Sequence, residues 1–315
     1  MDKPFKTYNQ QLKILRDRNM MIKNGSKAIK VLKREDYYNI INGYKDIFLD
    51  LSAPTETYKT GTEFEQLHAL FEFDRNLRGL FLKYILKLES IIKTKISYHF
   101  SNKYRTSFNY LNTSNFKKNN LSEVTTLISR ISATVEKNTK NDKGQVPYYL
   151  NTYENLPLWV LMKKLDFGAA TYFYNALQDN LKSDICEEII NEYKKEYKLQ
   201  VTIPNEYDQL CKILFFVNKF RNTCAHDERL YNLSITSKNL KFQHFYRVGS
   251  ANNASKSKLI DLLFVLKLFL TKKDFKKLVS LLRDEFDDLS EELPPNIFNL
   301  VQINMGFPKA WETQL

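Results

Sequence analysis

Glycine and proline are scarce in this chain, with eight of each in 315 residues. Because these two residues interrupt regular backbone structure most strongly, their scarcity favours helices over a fold built from many turns. Segments that alternate apolar and polar residues, as half-buried strands do, are also few. The sequence contains no glycine-rich loop of the kind that cradles a nucleotide phosphate. It therefore predicts an all-α fold and excludes a P-loop.

Cysteine is scarce as well, and its spacing excludes two further classes of site. Cys186, Cys211 and Cys224 lie far apart, without the spacing of a metal-ligand set or of a disulfide framework. We expect three buried free thiols in a reducing cytoplasm. The chain also lacks a carboxylate cluster suited to two metal ions, so the sequence predicts neither a metal site nor a cofactor.

The sequence contains no long hydrophobic run. The N-terminus has no apolar core of a signal peptide, and the longest apolar stretch, Leu259 to Leu270, is interrupted by Asp261 and Lys267. A membrane-spanning helix needs about 20 predominantly apolar residues. We therefore predict a cytoplasmic protein with no membrane span.

Acidic residues are outnumbered by basic ones. The chain has 48 Lys and Arg against 36 Asp and Glu, a formal net charge of +12. Such a charge favours a polyanionic partner, of which nucleic acid is the commonest. Lysine, asparagine and isoleucine are abundant together, however, as an AT-rich genome would produce, so the charge supports a nucleic-acid partner without establishing it.

One long helix is the strongest structural signal. Thr62 and Glu65 have the spacing of a helix-capping pair, and a periodic apolar run follows them to about Tyr104. Its second half presents one apolar stripe, which we expect to face the core: Leu77, Phe81, Ile85, Leu88, Ile92 and Ile96.

Further helices are predicted on both sides of this one. Periodic apolar residues indicate helices at 9–20, 33–51, 256–270 and 272–286. Residues 235–257 show no such period and predict an irregular connection. An apolar tail follows Pro294 and Pro295, and its hydrophobic residues should pack against the folded chain.

The stretch from Asn205 to Asn232 predicts a helix with polar chemistry at its far end. Its apolar stripe should face a core and consists of Leu210, Ile213, Leu214, Val217, Phe220 and Cys224. Arg221 falls within this stripe, where a guanidinium needs an ionic partner or an anionic ligand. Asn222, His226 and Arg229 should project together beside it, at spacings of four and three residues.

An arginine, an amide and an imidazole at one helix end are suited to binding a phosphate and transferring a proton near neutral pH. The spacing of Arg221 and His226 alone is a weak signal, because a buried arginine in an internal ion pair and a histidine at a helix C-terminus are the more ordinary explanation of it. For Arg75 and Arg78 the sequence likewise leaves open a functional and a structural role. They could contact phosphate, whereas Asp74 with Arg78, and Glu89 with Lys93, have the spacing of helix-stabilising ion pairs.

Six stretches together resemble the Abi family of bacterial abortive-infection proteins, the AbiD/AbiF-like group of the HEPN superfamily. They occur in the expected order over nearly the whole chain: TYNQQLKILRDRNMMI, YYNIINGYKDIF, GTEFEQLHALFEFDRNLR, LPLWVLMKKLDFGAATYFY, FRNTCAHDERLYN and MGFP. This order is far more specific than the spacing of Arg221 and His226. Lys93 departs from the pattern, since related proteins often have arginine there.

The resemblance implies a HEPN-like helical bundle and a metal-independent endoribonuclease that acts in phage defence or as a toxin. It implies one domain over 1–315, with a core at 62–232, an N-terminal helical segment at 1–60 and C-terminal helices and a tail at 233–315. It places the catalytic residues at Arg221, Asn222 and His226. It also implies that a small RNA could hold the nuclease inactive.

The chemistry fits these residues independently of the resemblance. RNA cleavage without a metal uses the ribose 2′-hydroxyl as nucleophile and produces a 2′,3′-cyclic phosphate. His226 can act as base or acid, Arg221 can bind the phosphoryl oxygens, and Asn222 can orient the imidazole. Because one chain offers one such histidine, we expect a homodimer in which two motif helices share a composite site.

Two other functions remain open from the sequence. The chain could be a non-catalytic RNA-binding protein, or a protein-interaction module of a toxin–antitoxin-like system. Candidate RNA contacts are Arg75, Arg78 and Arg229, and candidate RNA surfaces are the N-terminal segment, the 106–120 loop and the C-terminal helices. Phosphate contacts make affinity fall steeply with salt, which would separate RNA binding from protein binding.

Overall fold

Helices form almost all of the regular structure in the computed structural model, which describes residues 4–140, 143–236 and 256–315. The predicted all-α fold is therefore confirmed. The α-helices are α1 (Tyr8–Asp17), α2 (Gly25–Glu35), α3 (Phe64–Lys103), α4 (Leu121–Thr139), α5 (Gln145–Tyr153), α6 (Leu158–Leu161), α7 (Phe167–Ala176), α8 (Asp179–Tyr197), α9 (Tyr207–Ala225), α10 (Leu259–Phe269), α11 (Lys272–Glu292) and α12 (Pro295–Met305).

The remaining regular elements are short. Two strands of two residues each, β1 (Ile235–Thr236) and β2 (Lys256–Ser257), pair antiparallel. Most of the predicted irregular connection between them, residues 237–255, lies outside the described residues. One π-helical turn covers Tyr38–Asn42, and short 3₁₀ turns cover Lys45–Phe48, Asn109–Leu111, Thr113–Asn115, Lys118–Asn120 and Trp311–Gln314.

The predicted long helix is α3, with 40 residues. All six residues of its predicted stripe are fully buried. The helix begins at Phe64, slightly later than the Thr62 cap predicts. The Gln66 side chain accepts a hydrogen bond from the Glu63 N–H at 3.2 Å, so Glu63 takes the capping position.

The N-terminal helices differ from the prediction. The helix predicted at 9–20 is α1, but 33–51 is not one helix. Instead, α2 ends at Glu35 because Asp36 adopts the left-handed region with φ 66°, which a helix cannot continue through. The π-helical turn and a 3₁₀ turn then carry the chain to Phe48.

The described residues group into two compact units. The first comprises those of Met1–Phe81, Thr223–Ser234 and Lys277–Trp311. Within it α1 packs on α2, and α12 contacts the 3₁₀ turn at Lys45–Phe48. The predicted apolar tail docks here: Phe307 and Trp311 are buried, and the Phe286 ring lies 5.3 and 6.0 Å from theirs.

The second unit comprises the described residues of Leu82–Asn222, Ile235–Lys276 and Glu312–Leu315. Within it α4 packs on α7, and α8 packs on α10. The rings of Phe100, Phe116 and Phe173 meet at centroid distances of 5.2 to 5.4 Å. The assignment of a core at 62–232 with flanking segments stays a prediction.

The most apolar helix, α10, is a buried core helix rather than a candidate bilayer span. Eight of its eleven residues are buried. None of the helices in the described ranges combines the length and the apolar character that crossing a membrane requires.

Candidate active site

Helix α9 carries the stretch that was predicted to bear the chemistry. Its predicted apolar stripe is buried from Leu210 to Cys224, which confirms that this face packs into a core. Arg221 keeps 27% of its side chain exposed, and Asn222 is half-buried. Both lie at the C-terminal end of the helix, and His226 follows directly after its last residue, Ala225.

A tight turn ends α9 and fixes the backbone around His226. The Glu228 N–H donates to the Thr223 carbonyl at 3.1 Å, the six-to-one hydrogen bond of a Schellman turn. Asp227 occupies the left-handed position of this turn with φ 57°, where glycine is usual because a side chain is strained there. The His226 side chain is exposed. The turn thus presents the imidazole to solvent on a backbone with a defined conformation.

The prediction that one helix continues to Asn232 is wrong. Because α9 ends at Ala225, the spacing of Arg229 from His226 does not place the two side chains on one helical face. Arg229 instead donates to the Gly43 carbonyl and forms an ion pair with Asp46 at 3.1 Å. These contacts hold the chain that follows the turn against the N-terminal segment of the first unit.

Asp74, in α3, also binds the chain that follows the turn. Its carboxylate accepts hydrogen bonds from the Leu230 N–H at 3.0 Å and the Tyr231 N–H at 2.6 Å. It also accepts from the Tyr44 hydroxyl and from Arg78 Nη1, each at 2.7 Å. Burial raises the pKa of the Asp74 carboxyl, and the hydrogen bonds from Leu230 and Tyr44 act against that rise. Four donors meet this one side chain, and an ionised carboxylate can accept from all four because both of its oxygens only accept.

Arg78 extends this network to the turn itself. Its Nη2 donates to the Asp227 carboxylate at 2.6 Å, while its Nη1 pairs with Asp74. The predicted ion pair of Asp74 with Arg78 is present, and the contact with Asp227 adds a tether to the residue that follows His226. Arg78 is only 3% exposed. The buried arginine therefore fixes the turn, and the phosphate contact proposed for it from the sequence stays a prediction.

Arg221 faces a different carboxylate, within the second unit. Its Nε lies 3.7 Å from Glu89 Oε2, which is within ion-pair distance but too long for a hydrogen bond. Glu89 Oε1 accepts from Lys93 Nζ at 2.5 Å, and Lys93 also donates to the Leu165 carbonyl at 2.6 Å. The predicted pair of Glu89 with Lys93 is thus present.

The contact between Arg221 and Glu89 leaves hydrogen-bonding capacity unused. Both facing atoms, Arg221 Nε and Glu89 Oε2, are buried and have no hydrogen-bond partner among the described residues. An unpaired buried polar atom costs about 1–3 kcal/mol, more when charged. The guanidinium is therefore held near a carboxylate without being saturated by it, which suits a group that has an anion still to bind.

Arg75, the remaining candidate RNA contact, is held by two carboxylates. It forms ion pairs with Glu35 and with Glu72, the latter at 3.1 Å. Its guanidinium also lies over the Phe71 ring, 4.5 Å from the centroid, a favourable cation–π geometry. These contacts account for its position, and its contact with RNA stays a prediction.

The described cysteine, histidine and acidic side chains do not form a metal-binding cluster. Across residues 4–140, 143–236 and 256–315, no group of three or more His, Cys, Asp or Glu side chains could hold a metal ion. Cys186, Cys211 and Cys224 are free and buried, as predicted. Burial raises the pKa of each of these thiols to about 12, so none of the three is set up as a nucleophile.

Sequence reasoning missed two residues of the site. Glu89 was identified only through its spacing from Lys93, and its approach to Arg221 joins positions that are far apart in the chain. The helical pattern did not mark Asp227 as a site residue, and no sequence pattern indicated its bond to Arg78. An aspartate directly after the histidine, where a helix C-terminus favours a left-handed residue, is the one clue that could have marked the turn.

Comparison with known proteins gives one match. A family model described as Abi-like protein matches residues 30–232, more than half of the chain. The matched segment ends just past the turn and includes α3, α9 and His226. No curated protein and no solved structure matches the chain.

Proposed function

The chain belongs to the Abi-like protein family, whose function is of the abortive-infection type, and from this premise we propose that it is a metal-independent HEPN endoribonuclease. The proposed catalytic residues are Arg221, Asn222 and His226. We place the chain in the AbiD/AbiF-like group and propose that it acts in the cytoplasm, in phage defence or as a toxin. Such an enzyme harms the cell's own RNA once it is activated.

The observation that carries this proposal is the way His226 is presented. Its side chain is exposed, yet the backbone on its C-terminal side is tied down by the Thr223 carbonyl and by the bond from Arg78 to Asp227. An exposed imidazole adds little to folding, whereas a catalytic acid or base must be held in place and be reachable by substrate. The incompletely paired Arg221, five residues earlier, supplies the cation that a phosphoryl group needs.

In the proposed reaction the ribose 2′-oxygen attacks the adjacent phosphorus, and the bond from phosphorus to the 5′-oxygen breaks. One imidazole takes the 2′-hydroxyl proton, and a second acid protonates the leaving 5′-oxygen. Arg221 stabilises the charge that accumulates on the phosphoryl oxygens. The products are a 2′,3′-cyclic phosphate and a 5′-hydroxyl, with no change of oxidation state.

The first test of this function uses protein stripped of nucleic acid, labelled RNA and an excess of chelator. We expect cleavage that leaves 2′,3′-cyclic phosphate ends, identified by mass spectrometry, and resistance of a matched oligonucleotide with 2′-deoxyribose at the cleaved position. A requirement for added magnesium, or cleavage of the deoxy substrate, would exclude the mechanism. Salt-sensitive RNA binding without cleavage would favour the non-catalytic alternative.

The proposed reaction uses one base and one acid, whereas each chain has one motif histidine. We propose a homodimer whose motif helices face each other, so that one His226 acts as base and its counterpart as acid. A small RNA bound to the basic chain could then hold the dimer inactive. The proposed dimer explains how a chain with a single motif histidine performs a reaction that moves two protons.

Sharing of the site predicts that a chain without the histidine inactivates its wild-type partner. When equal amounts of wild-type and His226→Ala chains are mixed and reannealed, about half of the dimers contain one chain of each kind and about a quarter are wild type. Because a mixed dimer retains only one of the two histidines, we expect the mixture to cleave RNA at about a quarter of the rate of the same amount of wild-type protein. A mixture that keeps about half of that rate would show that each chain cleaves RNA without its partner's histidine.

A further inference from the structure

A groove of about 860 Å³ lies within the second unit, beside the second half of α3. Its walls come from α3, from the segment that follows α3 and from α6 with the residues on both sides of it. A volume of this size is in the range of sites that bind a ligand. Residues 106 and 108–110 of the wall belong to the 106–120 loop that the sequence marked as a candidate RNA surface.

Large apolar side chains are exposed along this groove. Tyr98 is 66% exposed, Trp159 is 53% exposed and Leu86 is 45% exposed, and all three line it. Exposing several such side chains together marks a binding surface more often than chance. Flat rings with one open face are also what unpaired nucleobases stack on in single-strand binding proteins.

The groove also contains polar atoms without partners. Tyr104 Oη and Asn155 Oδ1 line it and are buried, and neither has a hydrogen-bond partner in the described part of the chain. A hydroxyl can both donate and accept, and an amide oxygen accepts from N–H groups such as those on base edges. A ligand with hydrogen-bonding edges would satisfy both, whereas an apolar helix face would leave them unpaired.

Basic side chains outnumber acidic ones in the lining of the groove. The basic residues are Lys93, Arg105 and Lys163, and the one acidic residue is Glu89, which already forms an ion pair with Lys93. A ligand that carries both a negative charge and flat rings fits this lining better than an acidic or an apolar peptide. Nucleotides combine these two features, with a phosphate and a base in each unit.

One residue of the groove wall forms an ion pair with Arg221. Glu89, which is part of its wall, is the carboxylate that lies 3.7 Å from Arg221 Nε. We propose that this groove binds an unpaired segment of RNA, whose bases stack on Tyr98 and Trp159 while its backbone runs along the lysines toward Arg221. The proposal rests on the nuclease function for its substrate, but RNA binding in the groove can be measured without cleavage. Paired RNA should be excluded because its bases already stack on one another.

The test compares two pairs of substitutions in a His226→Ala background, which keeps the RNA intact. The first is Tyr98→Ala with Trp159→Ala. The matched control is Tyr148→Ala with Tyr153→Ala, two exposed rings outside the groove, at 55% and 59% exposure. Affinity is measured by fluorescence anisotropy with a labelled single-stranded 12-mer RNA, and with the same sequence as a duplex.

We expect the groove pair to weaken single-strand binding at least about tenfold, because each base–ring stack contributes about 1–3 kcal/mol. The control pair should stay within about twofold, and duplex binding should be weak in all proteins. Thermal unfolding of each variant checks that the fold is intact. Unchanged affinity in a folded groove variant, or an equal loss in the control, would overturn the proposal.

The experiments distinguish a failure of the groove proposal from a failure of the proposed nuclease function. Loss of binding in the groove variant together with a wild type that cleaves no RNA would leave the groove as an RNA site and remove the nuclease. The reverse result needs the groove pair in both backgrounds: RNA affinity unchanged in the His226→Ala background, and RNA cleavage unchanged from wild type when His226 is present.

Discussion

Substituting His226 by alanine is expected to lower the rate of RNA cleavage by about 10²- to 10⁴-fold, the usual contribution of a positioned acid or base. The loss should come from the chemical step, because the side chain is exposed and has little part in packing. The affinity for a single-stranded RNA should therefore change little. The measurement is the single-turnover rate with saturating protein, which separates cleavage from binding.

Two other histidines provide matched controls for this substitution. His68 lies 3.6 Å from Glu72, and His99 lies 2.6 Å from Glu188, so each has a carboxylate partner that accounts for its position. We expect His68→Gln and His99→Gln to retain nearly the wild-type rate. If all three variants lost the same fraction of activity, or if His226→Ala unfolded at a clearly lower temperature, the case for His226 as the reacting group would fail.

The buried faces of the two main helices, α3 and α9, could be predicted from the sequence, as could the approximate ends of α3, whereas the ends of α2 and α9 could not. The stripes of α3 and α9 follow from apolar spacing alone, since burial on one side of a helix repeats every 3.6 residues. Where a helix stops depends on one or two residues. Asp36 and Asp227 both adopt the left-handed region, a conformation that aspartate enters much less readily than glycine. Nothing in the local sequence required it.

In the site too, contacts within one helix could be predicted from the sequence, and contacts between distant parts of the chain could not. The ion pairs of Asp74 with Arg78 and of Glu89 with Lys93 are four residues apart on one helix, so their spacing predicted them. The contacts of Arg78 with Asp227 and of Arg221 with Glu89 join positions more than a hundred residues apart. Such contacts depend on how the chain folds back on itself, which helical periodicity does not encode. The resemblance to a family located the motif, but not the carboxylates that hold it.

Removing the Asp74 side chain is expected to cause the largest loss of stability in the first unit. The residue is fully buried and accepts hydrogen bonds from Tyr44, Arg78, Leu230 and Tyr231. Asp74→Ala leaves these four donors without this acceptor, and the ion pair that Arg78 keeps is with the exposed Asp227. Breaking a buried ion pair from one side costs about 3–5 kcal/mol, and we expect the free energy of unfolding in urea to fall by that amount.

The control for this variant is Asp46→Ala. Asp46 also pairs with an arginine, Arg229, but its side chain is 56% exposed, and exposed pairs contribute about 0–1 kcal/mol. A difference between the two variants therefore reports burial and hydrogen bonding rather than the presence of an Asp–Arg pair as such. Equal, small losses in both would show that water replaces the Asp74 contacts at little cost.

An Asp74→Asn variant tests the charge separately from the shape. Three donors meet Oδ2, from Tyr44, Arg78 and Leu230, and the Tyr231 N–H meets Oδ1. An amide has one oxygen and one NH₂ group, so either orientation sets its NH₂ against at least one of these donors. We expect Asp74→Asn to lose stability as well, because the contacts fit an ionised carboxylate. An asparagine variant as stable as wild type would instead mean that burial keeps Asp74 protonated in the folded protein, since an amide can substitute for a neutral acid but not for an anion that accepts on both oxygens.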